Sequence, residues 1–179
     1  MGPGERVCAY LPNTRTIVVR TQRSSDDTLA VLRHEVTHAL IHEWIGRPPK
    51  AMNEGMAEYF EHFDPQGMGG VVDPNRYARQ MRAAAPNGSA LSTLRSLLSA
   101  DRERFHGDGE QSNYTRSMAL ISTLMASPQG RRALSLALAE QRKQTCVPID
   151  LAALLNKAWP AGLSSLAVNW QQHQRQNVH

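Results

Sequence analysis

Cysteine is scarce in this chain, which carries only Cys8 and Cys146 among its 179 residues. Two cysteines so far apart are too few for a zinc site built from thiolates. They either pair in one long-range disulfide or are both buried as small apolar side chains. A disulfide would indicate an exported, for example periplasmic, protein, and unpaired cysteines would indicate the cytoplasm.

Long apolar runs and blocks of like charge are also missing. No run of 18 apolar residues occurs, so we predict no membrane span. The net charge of +4 is spread along the chain, and no basic block is interleaved with the aromatic residues, which make up only 6%. We therefore predict that nucleic acid is not a partner. Hydrophobic residues make up 41%, enough for the core of one domain spanning residues 1–179.

The order of apolar, turn and helix-start residues predicts an α+β fold that is predominantly α-helical. An N-terminal β-hairpin is predicted from two short β-rich runs, residues 7–10 and 16–20. Two predicted helices follow, over residues 28–44 and 52–62, and they complete the first part of the chain, residues 1–62. A loop is expected over 64–70. The helical part, residues 74–175, has expected helices at 74–85, 91–99, 112–127, 130–142, 150–158 and 163–172. The polar end from residue 171 is expected to fray.

The first predicted helix is amphipathic. Leu29, Leu32, Val36, Ala39 and Leu40 share one face, which we expect to pack on the core. The histidines of this helix lie on the opposite face.

His34-Glu35-Val36-Thr37-His38 is the most informative stretch of the chain. Residues four apart on an α-helix lie one turn apart on the same face, so His34 and His38 can bind one Zn²⁺ ion. Glu35 is then placed to accept a proton from the water that the metal activates. This spacing predicts a hydrolytic zinc site with Glu35 as its general base.

A catalytic zinc needs a third protein ligand, and the second predicted helix offers two candidates. Glu54 and Glu58 are one turn apart, so both can face the metal. We favour Glu54 as the ligand and Glu58 as the carboxylate that orients a ligand histidine. Gly55 would let the helix approach a neighbour closely, and Glu61 is expected on a solvated face.

His42 continues the histidine face but is not expected to bind the same metal. It lies eight residues beyond His34, about 12 Å along a helix axis. Zn–N bonds are only about 2.0–2.1 Å long. We therefore expect His42 to have a structural role or to lie at the rim of the site.

The HExxH stretch, followed by Asn53-Glu54-Gly55-Met56-Ala57-Glu58-Tyr59, resembles the gluzincin metallopeptidases and is especially similar to their peptidase MA-like group. The resemblance implies a zincin-like core, a peptidase activity and Glu54 as third zinc ligand. By interval from His38 alone, Glu58 matches the thermolysin-like members better. Residues 16–20 resemble the strand before the HExxH helix, residues 113–121 resemble a downstream helix, and Trp170 stands where the group often has a tryptophan-bearing helix.

These residues lead us to expect a zinc-dependent metallopeptidase that acts on a peptide or protein substrate. Tyr114 is a candidate for stabilising the oxyanion, and the alternative is that it belongs to a core stripe with Met118, Ile121 and Met125. The strand over residues 16–20 is expected to pair with the extended substrate. Two other functions stay open, namely a catalytically idle zinc-binding module and a zinc hydrolase of a non-peptide amide.

Overall fold

The computed structural model describes residues 8–66, 69–72, 77–107 and 109–176. These residues are mostly helical and include two small antiparallel strand pairs, which confirms the predominantly helical α+β class. The elements follow the order β1 Cys8–Leu11, β2 Thr16–Val19, α1 Ser25–Trp44, α2 Lys50–Glu61, β3 Phe63–Gln66, β4 Gly69–Val72, α3 Ala78–Ala84, α4 Ala90–Ser99, α5 Arg102–Phe105, α6 Glu110–Met125, α7 Pro128–Lys143, α8 Leu151–Ala158 and α9 Gly162–Gln176.

The predicted N-terminal hairpin is present. Strands β1 and β2 pair in a register that sets Tyr10 opposite Ile17. The hairpin packs against α1 and is tied to it by Glu43, whose carboxylate lies 3.0 Å from the Arg15 guanidinium and accepts a hydrogen bond from the Tyr10 hydroxyl. The start of α1 is set by a local hydrogen bond, because the Ser24 hydroxyl caps the helix by accepting from the Asp27 N–H.

The loop expected over residues 64–70 is wrong for residues 64–66 and 69–70, because β3 and β4 pair there as antiparallel strands, and residues 67 and 68 lie outside the described part of the chain. Proline and glycine argue against strands in general. Here Gly70 lets the Phe63 ring lie directly over its backbone, since a Cβ at Gly70 would overlap that ring. Packing of one aromatic ring thus favours a pairing that composition disfavours.

The prediction of which face of α1 is buried is also wrong. Leu29 and Leu40 are about half exposed, at 49% and 52%, whereas Glu35, Thr37 and Ile41 are buried. Helix α1 packs on α2 with its histidine-bearing side, and the hairpin covers another side. Its apolar stripe therefore faces outward.

Helix α6 is the centre of the core and packs most extensively against α2. Gly55 lies at their crossing, where a Cβ would come within 2.6 Å of the Ser117 carbonyl oxygen. The C-terminal helix closes the core through Trp170, which is fully buried and donates its indole N–H to the Arg116 carbonyl oxygen. The main cluster of buried side chains is Ala51, Met52, Met81, Leu94, Leu97, Leu98, Phe105, Met118, Ala119, Leu120, Ile121, Leu124, Ala133, Leu134, Ala137, Ile149, Leu151, Leu155, Leu163, Leu166, Ala167 and Trp170.

Helix α5, the C-terminal end and Cys146 differ from the sequence-based expectations. The short helix α5 was not predicted, and the chain does not fray at residue 171, because α9 continues to Gln176 with Gln174 buried. Cys146 is exposed and its thiol is free, so it is neither a buried apolar residue nor part of a disulfide here. None of the helices in the described part of the chain is long and apolar enough to cross a membrane.

Candidate metal centre

Helices α1 and α2 bring together the three predicted ligands. The Nε2 atoms of His34 and His38 lie 3.1 Å apart. Glu54 Oε2 lies 3.4 Å from His38 Nε2 and 4.0 Å from His34 Nε2. Donors bound to zinc at about 2.0–2.1 Å in a tetrahedron lie roughly 3.3–3.4 Å apart. Two imidazole nitrogens and one carboxylate oxygen are also the donor types that catalytic zinc takes, so these residues fit the ion in both chemistry and spacing.

The Glu54 carboxylate is buried and held at both oxygens. Oε2 points to the two histidines, while Oε1 accepts from Lys50 Nζ at 3.3 Å and from Asn53 Nδ2 at 3.4 Å. Burial alone would raise the pKa of Glu54. Hydrogen bonding to His38, together with the charges of His38, Lys50 and His34, outweighs burial and lowers this pKa to about 2. Glu54 is therefore ionised, as a metal ligand must be.

The other nitrogen of His34 is bonded to a carboxylate, and that carboxylate belongs to Glu61. Glu61 Oε2 lies 3.0 Å from His34 Nδ1, whereas Glu58 Oε1 lies 4.0 Å away. This contact corrects the prediction that Glu58 orients a ligand histidine and that Glu61 lies on a solvated face. Glu54, Glu58 and Glu61 recur at helical spacing, so all three share one face of α2, and the crossing of the helices brings Glu61 closest.

The three carboxylates and His34 influence one another electrostatically. Burial opposes the charge on His34, but the hydrogen bond to Glu61 and the charges of Glu58, Glu61 and Glu54 raise its pKa overall. The pKa of Glu58 is raised to about 7 by burial and by the nearby Glu61 charge. His34 Nδ1, Glu58 and Glu61 lie close enough to form a second group of possible metal ligands. The short His34–Glu61 contact is instead the bond that typically orients a zinc-bound histidine.

Glu35, the expected general base, is buried at the side of the cleft. Its Oε2 accepts the Tyr10 backbone N–H at 2.7 Å, so strand β1 fixes its position. Ala9 and Tyr10 of β1 line the cleft, and no residue of β2 does. The strand beside the site is therefore β1, not the strand over residues 16–20 that we had expected.

The metal group opens into a cleft of about 1600 Å³. Tyr114 of α6 lies on its wall and packs edge-on against Phe105, at the border of the core. Met118 and Ile121 of the proposed core stripe are buried, so the position of Tyr114 between cleft and core is compatible with either predicted role. Next to it, His106 also lines the cleft.

Sequence reasoning missed His106, whose Nδ1 lies 2.8 Å from Glu110 Oε1. It also missed Lys50, Asn53 and the role of Glu61 in orienting His34. The detectable signal was spacing, because Lys50–Glu54 and His106–Glu110 are both pairs four residues apart in chain order. What such spacing does not reveal is which pairs face a cleft.

The three histidines of α1, His34, His38 and His42, do not all belong to the candidate metal centre. His42 lines the cleft but belongs to neither group of possible ligands found among the described residues, in agreement with its distance along α1. His38 Nδ1 is buried, and no hydrogen-bond partner for it occurs in the described part of the chain. Of the two candidate histidine ligands, His34 is thus the one whose orientation a described carboxylate fixes.

Comparison with protein-family models, with curated proteins and with solved structures gave no match. The resemblance to gluzincin metallopeptidases therefore stays a prediction, carried by the motif residues themselves.

Proposed function

We propose that this protein is a zinc-dependent hydrolase with a zincin-like core, and that it cleaves peptide bonds. The observation that carries the proposal is the convergence of His34 Nε2, His38 Nε2 and Glu54 Oε2 within 4.0 Å of one another at the floor of a cleft. A bare HExxH stretch lacks this third donor. Glu35 follows His34 on the same helix, so a carboxylate base adjoins the ligand set.

Zinc bound by these residues would polarise a carbonyl group and lower the pKa of a bound water toward about 7. Glu35 would accept the proton from the attacking water and pass it to the leaving amine. The Tyr10 N–H bond to Oε2 would orient Glu35 for this transfer, and the other oxygen, Oε1, would take the proton. The Tyr114 hydroxyl is a candidate donor to the developing oxyanion.

A peptide substrate is supported by the size of the cleft and by the strand at its side. Pockets for small ligands usually measure about 300–1,000 Å³, and this cleft is larger, at about 1600 Å³. Strand β1 lies beside Glu35, where an extended peptide would add to the hairpin as a further strand. Backbone pairing of this kind would set the peptide across the metal site.

Zinc binding is the first test. Metal analysis of the purified protein is expected to give about one zinc per chain, the number implied by one three-ligand site. H34A should lose the metal because it removes both a ligand and the partner of Glu61. A folded wild-type protein that binds no zinc would overturn the proposal.

Hydrolysis is the second test, with peptide libraries as substrates. Glu35→Gln should retain zinc yet lose hydrolysis, because the amide cannot accept the proton. Glu140→Gln is the matched control, since Glu140 is an exposed glutamate on α7. Zinc without turnover on any peptide would favour a catalytically idle module, and turnover restricted to non-peptide amides would favour the other hydrolase.

A further inference from the structure

Lys50 is a cation that lies beside the candidate metal ligand Glu54, an unusual position for a positive charge. Its ammonium is 3.3 Å from Glu54 Oε1, and its side chain is only 29% exposed. A positive charge beside this carboxylate would repel a bound cation. Metal attraction therefore does not explain Lys50, and its role has to lie in what it does to Glu54.

The two oxygens of Glu54 are divided between two sets of partners. Oε2 faces His38 and His34, and Oε1 faces Lys50 and Asn53. Lys50 is one turn before Glu54 on α2, and Asn53 directly precedes it, so one helix segment supplies both donors. Rotation of the carboxylate toward the metal through both oxygens would break both hydrogen bonds.

Resting on the proposed function, we propose that Lys50, assisted by Asn53, is a positioning residue that limits Glu54 to a single metal-binding oxygen, Oε2. A carboxylate can bind a metal through one oxygen or through two, and the second mode occupies a further coordination position. Catalytic zinc has to keep a position open for water or substrate. Lys50 would keep that position open by holding Oε1 away from the metal.

An ordinary surface ion pair is the alternative, and the chain contains one for comparison. Lys143 lies 2.7 Å from Glu140 on α7, and the two side chains are 71% and 49% exposed. Such exposed pairs contribute little. The Glu54 side chain is only 7% exposed, so the Lys50 contact is made in the site rather than in water.

Cobalt substitution tests the proposal directly, because four-coordinate Co²⁺ absorbs visible light much more strongly than Co²⁺ with more ligands. The variants are Lys50→Met, Lys50→Arg and the double variant Lys50→Met with Asn53→Ala. Lys143→Met is the matched control. Cobalt stoichiometry and circular dichroism establish that each protein is loaded and folded.

Visible absorption per bound cobalt should fall in Lys50→Met and fall further in the double variant. It should be retained in Lys50→Arg and in Lys143→Met. A double variant that binds cobalt with the wild-type spectrum would overturn the role of Lys50 while leaving the metal site intact. Wild-type protein that binds neither zinc nor cobalt would overturn the proposed function, and this proposal with it.

Discussion

Gly55 connects the stability of the fold to the candidate metal site, and Gly55→Ala tests that connection. The added Cβ would lie 2.6 Å from the Ser117 carbonyl oxygen and 2.9 Å from Ile121 Cγ1. Backbone cannot move aside as a side-chain tip can, so α2 has to shift away from α6. Overpacking of this kind costs about 1–3 kcal/mol. Alanine regains roughly 0.5–1 kcal/mol over glycine inside a helix.

The difference between these ranges is roughly 0–2.5 kcal/mol. Because the two contacts are very short, we expect a loss of about 1–2 kcal/mol in the free energy of unfolding, measured by denaturant titration on metal-free protein. At this chain length, that loss lowers Tm by about 2–8 °C. Because Glu54 adjoins Gly55, the shift of α2 should also weaken zinc binding. Gly88→Ala is the control, since a Cβ there meets nothing within 4 Å. Unchanged stability and zinc affinity in Gly55→Ala would refute the argument that the close contact of α2 with α6 at Gly55 positions Glu54.

Three further predictions concern the surroundings of the site. Glu61→Gln should weaken zinc binding about 10–100-fold, because it removes the carboxylate that orients His34; an affinity equal to that of Glu140→Gln would contradict this. As pH decreases, zinc affinity should begin to fall at a pH above the usual pKa of histidine, because the pKa of His34 is raised and protons compete with zinc for its nitrogens. Chelator competition at a series of pH values measures the pH at which the loss begins, and a loss that begins only below the usual histidine pKa would contradict the prediction. Gln141→Leu should lower the free energy of unfolding by about 1–3 kcal/mol in denaturant titration, because the buried Gln141 amide forms hydrogen bonds with the backbone of Gln144, Val147 and Ile149. Wild-type stability in this variant would show that the segment over residues 144–149 does not depend on Gln141.

Features set by local spacing could be predicted from the sequence. The hairpin depends on two short β-rich runs around one turn, and α1 on a Ser24 cap followed by a regular helix. The pairing of His34 with His38 also needs only one helical turn. The choice of Glu54 over Glu58 as third ligand needed more than spacing, because it also rests on the resemblance to gluzincins.

Features set by tertiary packing could not be predicted in the same way. Glu58 and Glu61 lie on one face of α2, and only the angle at which α1 crosses decides which reaches His34. The β3–β4 hairpin depends on the Phe63 ring over Gly70. Helix α5 is four residues long, which is too short for a periodic pattern to show.

The outward orientation of the apolar stripe explains why the burial prediction for α1 is wrong. Amphipathic patterns predict that the apolar side of a helix turns inward. In α1, the polar side has to face α2, because Glu54 and Glu61 lie there and contact the histidines. Leu29 and Leu40 then point outward, and burial of apolar surface contributes less to docking α1. The contacts between α1 and α2 include the pairs of His34 and His38 with Glu54 and Glu61, ionisable groups that a zinc ion would join. Metal that binds only the folded chain stabilises it by mass action, so the site that orients α1 would also hold it in place.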